Sequence, residues 1–241
     1  MRKVLSHMRR AVDDYKMILP GDRIAVGVSG GKDSLVALCA LKALQKFYPN
    51  EFYMEALTLD MGAPGMDFSG VEKLCKDLDV PYTVLKTDIY EVIFEHRKEK
   101  SPCSLCAKMR RGGLNDLAKS RGLDKVVLGH HFDDVIETFF LSLFYEGRIN
   151  CFSPVTYLDR TDVTVIRPFI YLPEKEIRRY AKASQLPIVT NTCPADGNTK
   201  RQDMKELIGK LEYENHGLKE RVFTALKNSN VPGWNIEGEQ K

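Results

Sequence analysis

Nowhere in its 241 residues does the chain reach the roughly 18 uninterrupted apolar residues that a membrane helix requires. The opening segment, Met1 to Arg10, carries charges with no apolar stretch behind them, which makes a poor secretion signal. Charge of one sign is scarce as well. Against 36 lysines and arginines stand 33 acids, a net of +3, compatible with a polyanionic partner but not diagnostic of one. Internal repeats and low-complexity tracts are missing too, which argues against a solenoid or a disordered chain. What remains is 43% hydrophobic and 29% charged, the composition of a soluble globular protein. The expectation is a cytoplasmic chain with no membrane partner, whose reduced thiols bind metal or do redox chemistry rather than form structural disulfides.

Among the six cysteines, Cys39 and Cys75 fall in apolar-periodic helical stretches and read as core residues. Cys151 is uninformative. Cys103, Cys106 and Cys193 stand apart, because the first two form a C-x-x-C and the third lies among polar turn residues.

Short apolar runs alternate with helical periodicity along most of the chain. Residues 1–18 read as an amphipathic helix, ended by Pro20-Gly21. Strands are expected at 23–28, 54–59, 82–85, 125–129 and 163–166, with a last short one at 187–189. Helices are expected at 34–47, 68–79, 88–97, 104–120, 133–146, 174–185, 200–213 and 216–228, and the tail from Val231 reads as loose. Such alternation implies right-handed crossovers and a doubly wound α/β, Rossmann-like parallel sheet. Residues 1–20 then form an N-terminal helix, 21–190 the sheet domain, and 191–241 a helical appendage docked on it.

The first strand runs into Ser29-Gly30-Gly31-Lys32-Asp33-Ser34, and a helix follows. Two glycines let the backbone approach an anion, and the helix start offers free amides and a positive dipole end. Lys32 adds a mobile charge, while Ser29 and Ser34 add hydroxyl donors. The same residues would also suit a plain Gly-Gly turn capped by Asp33 or Ser34. A Walker A loop is excluded, since Gly27 stands one position too close to Lys32 and Asp33 replaces the required Ser or Thr. The dinucleotide fingerprint fails for want of a third glycine.

Ser-Gly-Gly-Lys-Asp-Ser after a first strand resembles the PP-loop ATP pyrophosphatases, a Rossmann-like fold family. That resemblance implies ATP as substrate, cleaved between its α- and β-phosphates so that AMP is placed on a substrate oxygen. It implies Ser29, Gly30, Gly31, Lys32, Asp33 and Ser34 as the residues cradling pyrophosphate. A second segment, Leu128-Gly129-His130-His131-Phe132-Asp133-Asp134, closes another strand. Its carboxylates would serve equally as helix caps, but both strand ends should open on one crevice. Acids beside a triphosphate suit Mg²⁺, which keeps its waters and takes one or two carboxylates. The family carries Gly-His-x-x-Asp-Asp at this place, matched here by Gly129, His130, Asp133 and Asp134. Lys32, Asp33, Asp133 and Asp134 are accordingly the expected catalytic set, with His130 and Asp60 at the nucleotide; Asp60 reads equally as an ordinary strand-end residue.

Pro102-Cys103-Ser104-Leu105-Cys106 opens the helix that carries Arg110 and Arg111. A helix start and nearby arginines favour thiolate. By itself a single C-x-x-C is a metal half-site, a redox pair or a coincidence, and a four-cysteine zinc site lacks its second pair. With Cys193 later, the chain resembles the tRNA 2-thiocytidine synthetases over about residues 20–210. Pro102, Cys103, Cys106, Arg110 and Arg111 match that family, as does Arg201-Gln202 after Cys193. Many members have a second C-x-x-C where this chain has Cys193 alone. The resemblance implies a 4Fe–4S cluster on Cys103, Cys106 and Cys193, with one iron left without a protein ligand. It also implies tRNA as partner and a sulfur donor, either a cysteine desulfurase or inorganic sulfide, and it leaves a homodimer open.

Basic residues at Arg2, Lys3, Arg9 and Arg10, at Lys108, Arg110 and Arg111, and at Lys200 and Arg201 could steer RNA if they share a face. Interleaved acids make solvated helix faces the plainer reading. The alternatives are another PP-loop enzyme, thiolating uridine or transferring nitrogen, and a non-catalytic ATP- or redox-sensing module that binds RNA. Archaeal-type uridine thiolases carry zinc-ribbon cysteines that this chain lacks, and no glutaminase fits its length.

Overall fold

The computed structural model describes residues 1–96, 102–190, 192–193 and 200–236. Its short apolar runs pair into one six-stranded sheet. The strands are β1 (Arg23–Gly27), β2 (Tyr53–Asp60), β3 (Tyr82–Lys86), β4 (Lys125–Val127), β5 (Val155–Leu158) and β6 (Val163–Ile166), in the order β3-β2-β1-β4-β6-β5. All neighbours run parallel except β5 and β6. The central strands are covered on both faces, so Ile24, Ala25, Val26, Val126 and Val127 are buried without alternation, as parallel strands require. The order reverses between β1 and β4, and the carboxyl ends of strands flanking such a switch point form a crevice.

Helices α1 (Arg2–Asp14), α2 (Lys32–Gln45), α3 (Ser69–Asp77), α4 (Ile89–Glu91), α5 (Pro102–Ser120), α6 (Phe132–Leu141), α7 (Glu174–Ala183), α8 (Lys200–Glu214) and α9 (Leu218–Lys227) surround the sheet. Leu35, Leu38 and Leu41 of α2 are fully buried, so this helix, apolar nearly all round, anchors the Ser29–Ser34 loop in the core. Val4, Met8 and Val12 of α1, Met204 and Ile208 of α8, and Phe223 and Leu226 of α9 join the same hydrophobic cluster as β1 and α2. The N-terminal helix and the C-terminal helices thus share the core of the sheet domain.

Four expectations change. The stretch 187–189 is not a strand: Pro187 lacks a donor, and the Val189 amide donates instead to the Gly30 carbonyl at 3.0 Å. β5, absent from the sequence reading, is a half-exposed antiparallel edge with no clean apolar alternation. The helix expected over 133–146 ends at Leu141 and widens into a π-helical turn, Ser142–Glu146; another π turn, Val92–His96, follows α4. The tail is not loose at its start. Val231 is nearly buried and Trp234 wholly so, the indole donating to the Phe152 carbonyl at 3.2 Å.

Candidate active site at the β1–β4 switch point

Six residues after β1 build the loop. Gly30 adopts φ +81°, and a Cβ there would lie 2.6 Å from a Val189 methyl, so only glycine fits between the loop and the chain passing over it. The Ser34 hydroxyl donates to the Gly31 carbonyl (2.9 Å) and accepts from the Ser29 amide (3.1 Å). The loop is thereby tied into an anion-sized turn whose glycines head α2. Gly31 is the helix N-cap and supplies no side-chain cap, which leaves the first amides of α2 for a ligand.

After β4 the chain comes equally close. A Cβ on Gly129 would stand 3.0 Å from the Asp33 carbonyl carbon and 3.2 Å from the Ser34 nitrogen. The two strand ends therefore meet, and between them lies a cleft of about 770 Å³. Its walls include Ser29, Asp33 and Ser34 from one side, Gly129, His130 and Asp134 from the other, and Arg110, Arg111 and Arg201 above. Asp33 Oδ1 is buried without a hydrogen-bond partner, and His131 Nε2 stands 3.7 Å from it. A buried carboxylate oxygen left unpaired is costly, and a cation at this point would satisfy it.

The residues expected to act together separate here. Asp134 faces the cleft: its Oδ2 accepts from the His131 amide at 2.9 Å in a capping box, and Arg201 donates to its Oδ1 at 3.3 Å. Asp133 turns the other way, accepting from the Glu174 amide (2.7 Å) and the Lys219 ammonium (2.6 Å). Burial pushes its carboxyl up, but those two partners outweigh burial and hold it below the usual range. Asp133 thus caps α7 and fastens α9. Asp60 stays outside the cleft lining, its carboxylate accepting from the Gly62 amide at 3.0 Å. His130 lines the cleft with its ring 4.9 Å from the Phe152 ring and Nδ1 buried without a partner. Burial drops its pKa to about 4, so the imidazole is neutral at pH 7. Glu137, one turn further along α6, is pushed up to about 7 by burial and by Asp134.

Lys32 does not reach into the open cleft. Its ammonium lies 3.0 Å from Asp33 and 3.1 Å from Glu174. Burial lowers its pKa, but the two carboxylates more than compensate, so the lysine is firmly charged. Glu174 also accepts from Lys205 of α8 (2.8 Å) and Arg178 (3.0 Å). Sequence reasoning missed Glu174, Lys205 and Lys219 because more than 100 residues of chain separate Glu174 from the loop it serves. The one local signal was an acid just after Pro173 at a helix start.

The cysteines lie along the same wall. On α5, Cys103, Cys106 with Ala107, Arg110 with Arg111, and Leu114 recur at helical spacing and form one stripe. Leu114 packs on the end of β1, within 2.8 Å of where a Gly27 Cβ would stand, while Ala107, Arg110 and Arg111 face the cleft. Cys106 and Cys193 share a small apolar recess with Met61, whose sulfur is 3.6 Å from the Cys106 sulfur. Burial raises the Cys106 thiol, Arg110 pulls it down, and the neighbouring Cys193 and Cys103 push it up again. The net effect is upward, so for Cys106 burial overrides the thiolate expectation drawn from the helix start. Among the described residues no three candidate ligands stand at metal-ligand spacing. The donor set nonetheless suits a soft metal centre: two thiols share an apolar recess, a third, exposed Cys103, lies one turn earlier on α5, and Arg110 stands near. Residues 194–199 beside Cys193 lie outside the described ones.

No helix among the described residues is long and apolar enough to cross a membrane. The sequence pattern of the PP-loop domain family matches residues 3–211. A tRNA-cytidine(32) 2-sulfurtransferase from Geobacter metallireducens is 40% identical over 230 residues, covering 94% of this chain and 90% of that protein. One from Ralstonia nicotianae is 39% identical over 228 residues, covering 94% and 73%. In fold, the chain is similar to the U34-tRNA thiolase NcsA from Methanococcus maripaludis, solved with its 4Fe–4S cluster, at a TM-score of 0.74 and 22% identity, over 92% of this chain and 76% of the other. With its phosphate loop and acidic segment facing each other across the β1–β4 crevice, the chain belongs to the PP-loop domain family and, within it, to the family of the tRNA-cytidine(32) 2-sulfurtransferases.

Proposed function

We propose that the protein is an ATP-dependent tRNA sulfurtransferase that replaces the 2-oxygen of a cytidine by sulfur. The observation that carries this reading is the single face of α5 that runs from Cys103 and Cys106 through Arg110 to the wall of the phosphate cleft. Activation and sulfur delivery can then act on one base without its leaving the crevice.

ATP would lie with its β- and γ-phosphates on the Ser29–Ser34 loop, where α2 amides and Lys32 offset their charge. Mg²⁺ is supported by the unpaired buried Asp33 Oδ1 facing the Asp134 side of the cleft. Arg110, Arg111 and Arg201 line the remaining wall and suit the charge that develops as pyrophosphate departs. In that step the cytidine 2-oxygen bonds to the α-phosphorus, and the bond to the β-phosphate oxygen breaks with its electron pair on pyrophosphate. Neutral His130, which lines the cleft, can orient the pyrimidine through its ring. Cys103, Cys106 and Cys193 would hold a 4Fe–4S cluster, which supplies the sulfur that takes the place of the adenylated oxygen at C2. Pro102 fixes the helix start from which the first two project, and AMP leaves with the oxygen.

Anaerobic purification followed by iron and sulfide analysis, with mass spectrometry of nucleosides from tRNA incubated with ATP and a sulfide source, tests this directly. Thiocytidine formation with iron bound is the expected result. Stoichiometric zinc without iron, or no pyrophosphate release from the cluster-loaded protein with tRNA, would sink it.

A further inference from the structure

The π-helical turn at the far end of α6 exposes a set of large side chains that the core does not use. Phe144 is 55% exposed, Tyr145 53% and Ile149 70%. Phe144 is braced from behind by Phe140, stacked at 5.6 Å and 25°, so its outer face is both flat and held. The Lys200 ammonium lies 5.4 Å from the centre of the Tyr145 ring, and Arg148 is exposed between them and Ile149. Two acids are also present: Glu146 accepts from its own turn's Ser142, and Asp203 lies 3.7 Å from Lys200.

This patch is tied to the crevice. Arg201, next to Lys200, bonds Thr138 midway along α6 at 2.8 Å and Asp134 in the cleft at 3.3 Å. From Asp134 to Tyr145 the helix runs 11 residues, about 16 Å, a few nucleotides of extended RNA. A second copy of the chain fits the patch less well. An aromatic side chain buries about 150–250 Å² when fully covered, so these half-exposed groups offer on the order of 400 Å². A stable protein interface needs about 800 Å² per partner, and lysine is depleted from such cores. Aromatic faces beside cations, leading to a nucleotide cleft, match single-stranded nucleic acid.

We propose that Phe144 and Tyr145 are the stacking platform for unpaired bases of the tRNA loop that carries the target cytidine, with Arg148 and Lys200 on the adjoining phosphates. The proposal rests on the thiolation reading above for the identity of the RNA. Extended nucleotides stacked there would lead the target base along α6 to His130 and the phosphate loop.

The test uses the full chain, purified anaerobically, and a stem-loop RNA with the cytidine in its loop. Replacing both rings, Phe144→Ala with Tyr145→Ala, should weaken stem-loop binding at least about tenfold while ATP affinity and oligomeric state stay unchanged. Tyr145→Phe keeps the ring and should keep the affinity. Should the double variant misfold, Arg148→Glu decides instead: weaker binding and a shallower salt dependence are expected. Unchanged RNA affinity in the variant that is read overturns the proposal. So does a double variant that falls from dimer to monomer with RNA binding intact, since the patch would then bind a second copy. Binding that depends on the two rings, without any thiolated product, leaves this proposal standing and removes the functional one.

Discussion

Glu174 joins cations from three separate parts of the molecule: Lys32 on the phosphate loop, Arg178 on its own helix, and Lys205 on α8. Burial pushes its carboxyl up, but hydrogen bonds from Lys205 and Lys32 outweigh that and hold it well below the ordinary carboxylate range. The pH consequence follows from that sign. A depressed carboxylate contributes stability that is fully present above its unfolded value, about 4.3 for glutamate, and that is lost as pH falls toward the folded value. Denaturant unfolding between about pH 6 and pH 3 should therefore show a steeper loss of stability than Glu174→Gln shows over the same window, the remainder coming from depressed carboxylates such as Asp133; parallel curves would exclude the assignment. Gly30 gives a second prediction at this scale. An alanine there meets Val189 and must hold φ +81°, at a cost of about 1–2 kcal/mol from conformation alone. Gly30→Ala should lower the melting temperature and weaken ATP binding together, as calorimetry can record; unaltered ATP affinity would mean the loop does not hold nucleotide.

Among the elements, the C-terminal segment has the widest reach. Its Trp234 packs edge-on against Tyr15 of the α1 end (6.4 Å) and Phe223 of α9 (5.5 Å), and its indole holds the Phe152 carbonyl. Phe152 in turn backs His130 in the cleft. Trp234→Ala should cost about 3–5 kcal/mol and perturb ATP binding in the fraction that stays folded, measurable by urea titration beside nucleotide fluorescence. A variant as stable as the parent would show that the tail merely lies on the surface. None of this was legible in the sequence, where a lone tryptophan after charged helices carries no periodic signal. The strands β1 to β4 and β6, by contrast, were legible as short apolar runs between turns, and the loop because only glycine tolerates that approach. What sequence hid is long-range. Edge strand β5 has no alternation to betray it, Asp133 and Asp134 look equivalent until α7 and α9 claim one of them, and Glu174 gives no hint of its partner Lys32.

For the molecule as a whole, the layout separates two kinds of chemistry along one crevice. The phosphate end is rigid, since α2 lies inside the core. The thiol end rests on the first turn of α5 and on Cys193, neither of which contributes a fully buried side chain. Damage to one end should therefore leave the other working, which a coupled redox or sensing module would not do. Asp33→Asn removes the charge of a carboxylate whose Oδ1 is buried without a hydrogen-bond partner among the described residues and should lower tRNA-dependent pyrophosphate release on the order of 100-fold, with iron content unchanged. Cys193→Ala, on the opposite end, should abolish thiolated product while ATP binding persists and pyrophosphate is still released. The two variants assayed side by side distinguish the readings. If Cys193→Ala also stops pyrophosphate release, the thiol end gates the nucleotide end. Adenylation and sulfur delivery would then be one concerted event rather than two steps sharing a wall.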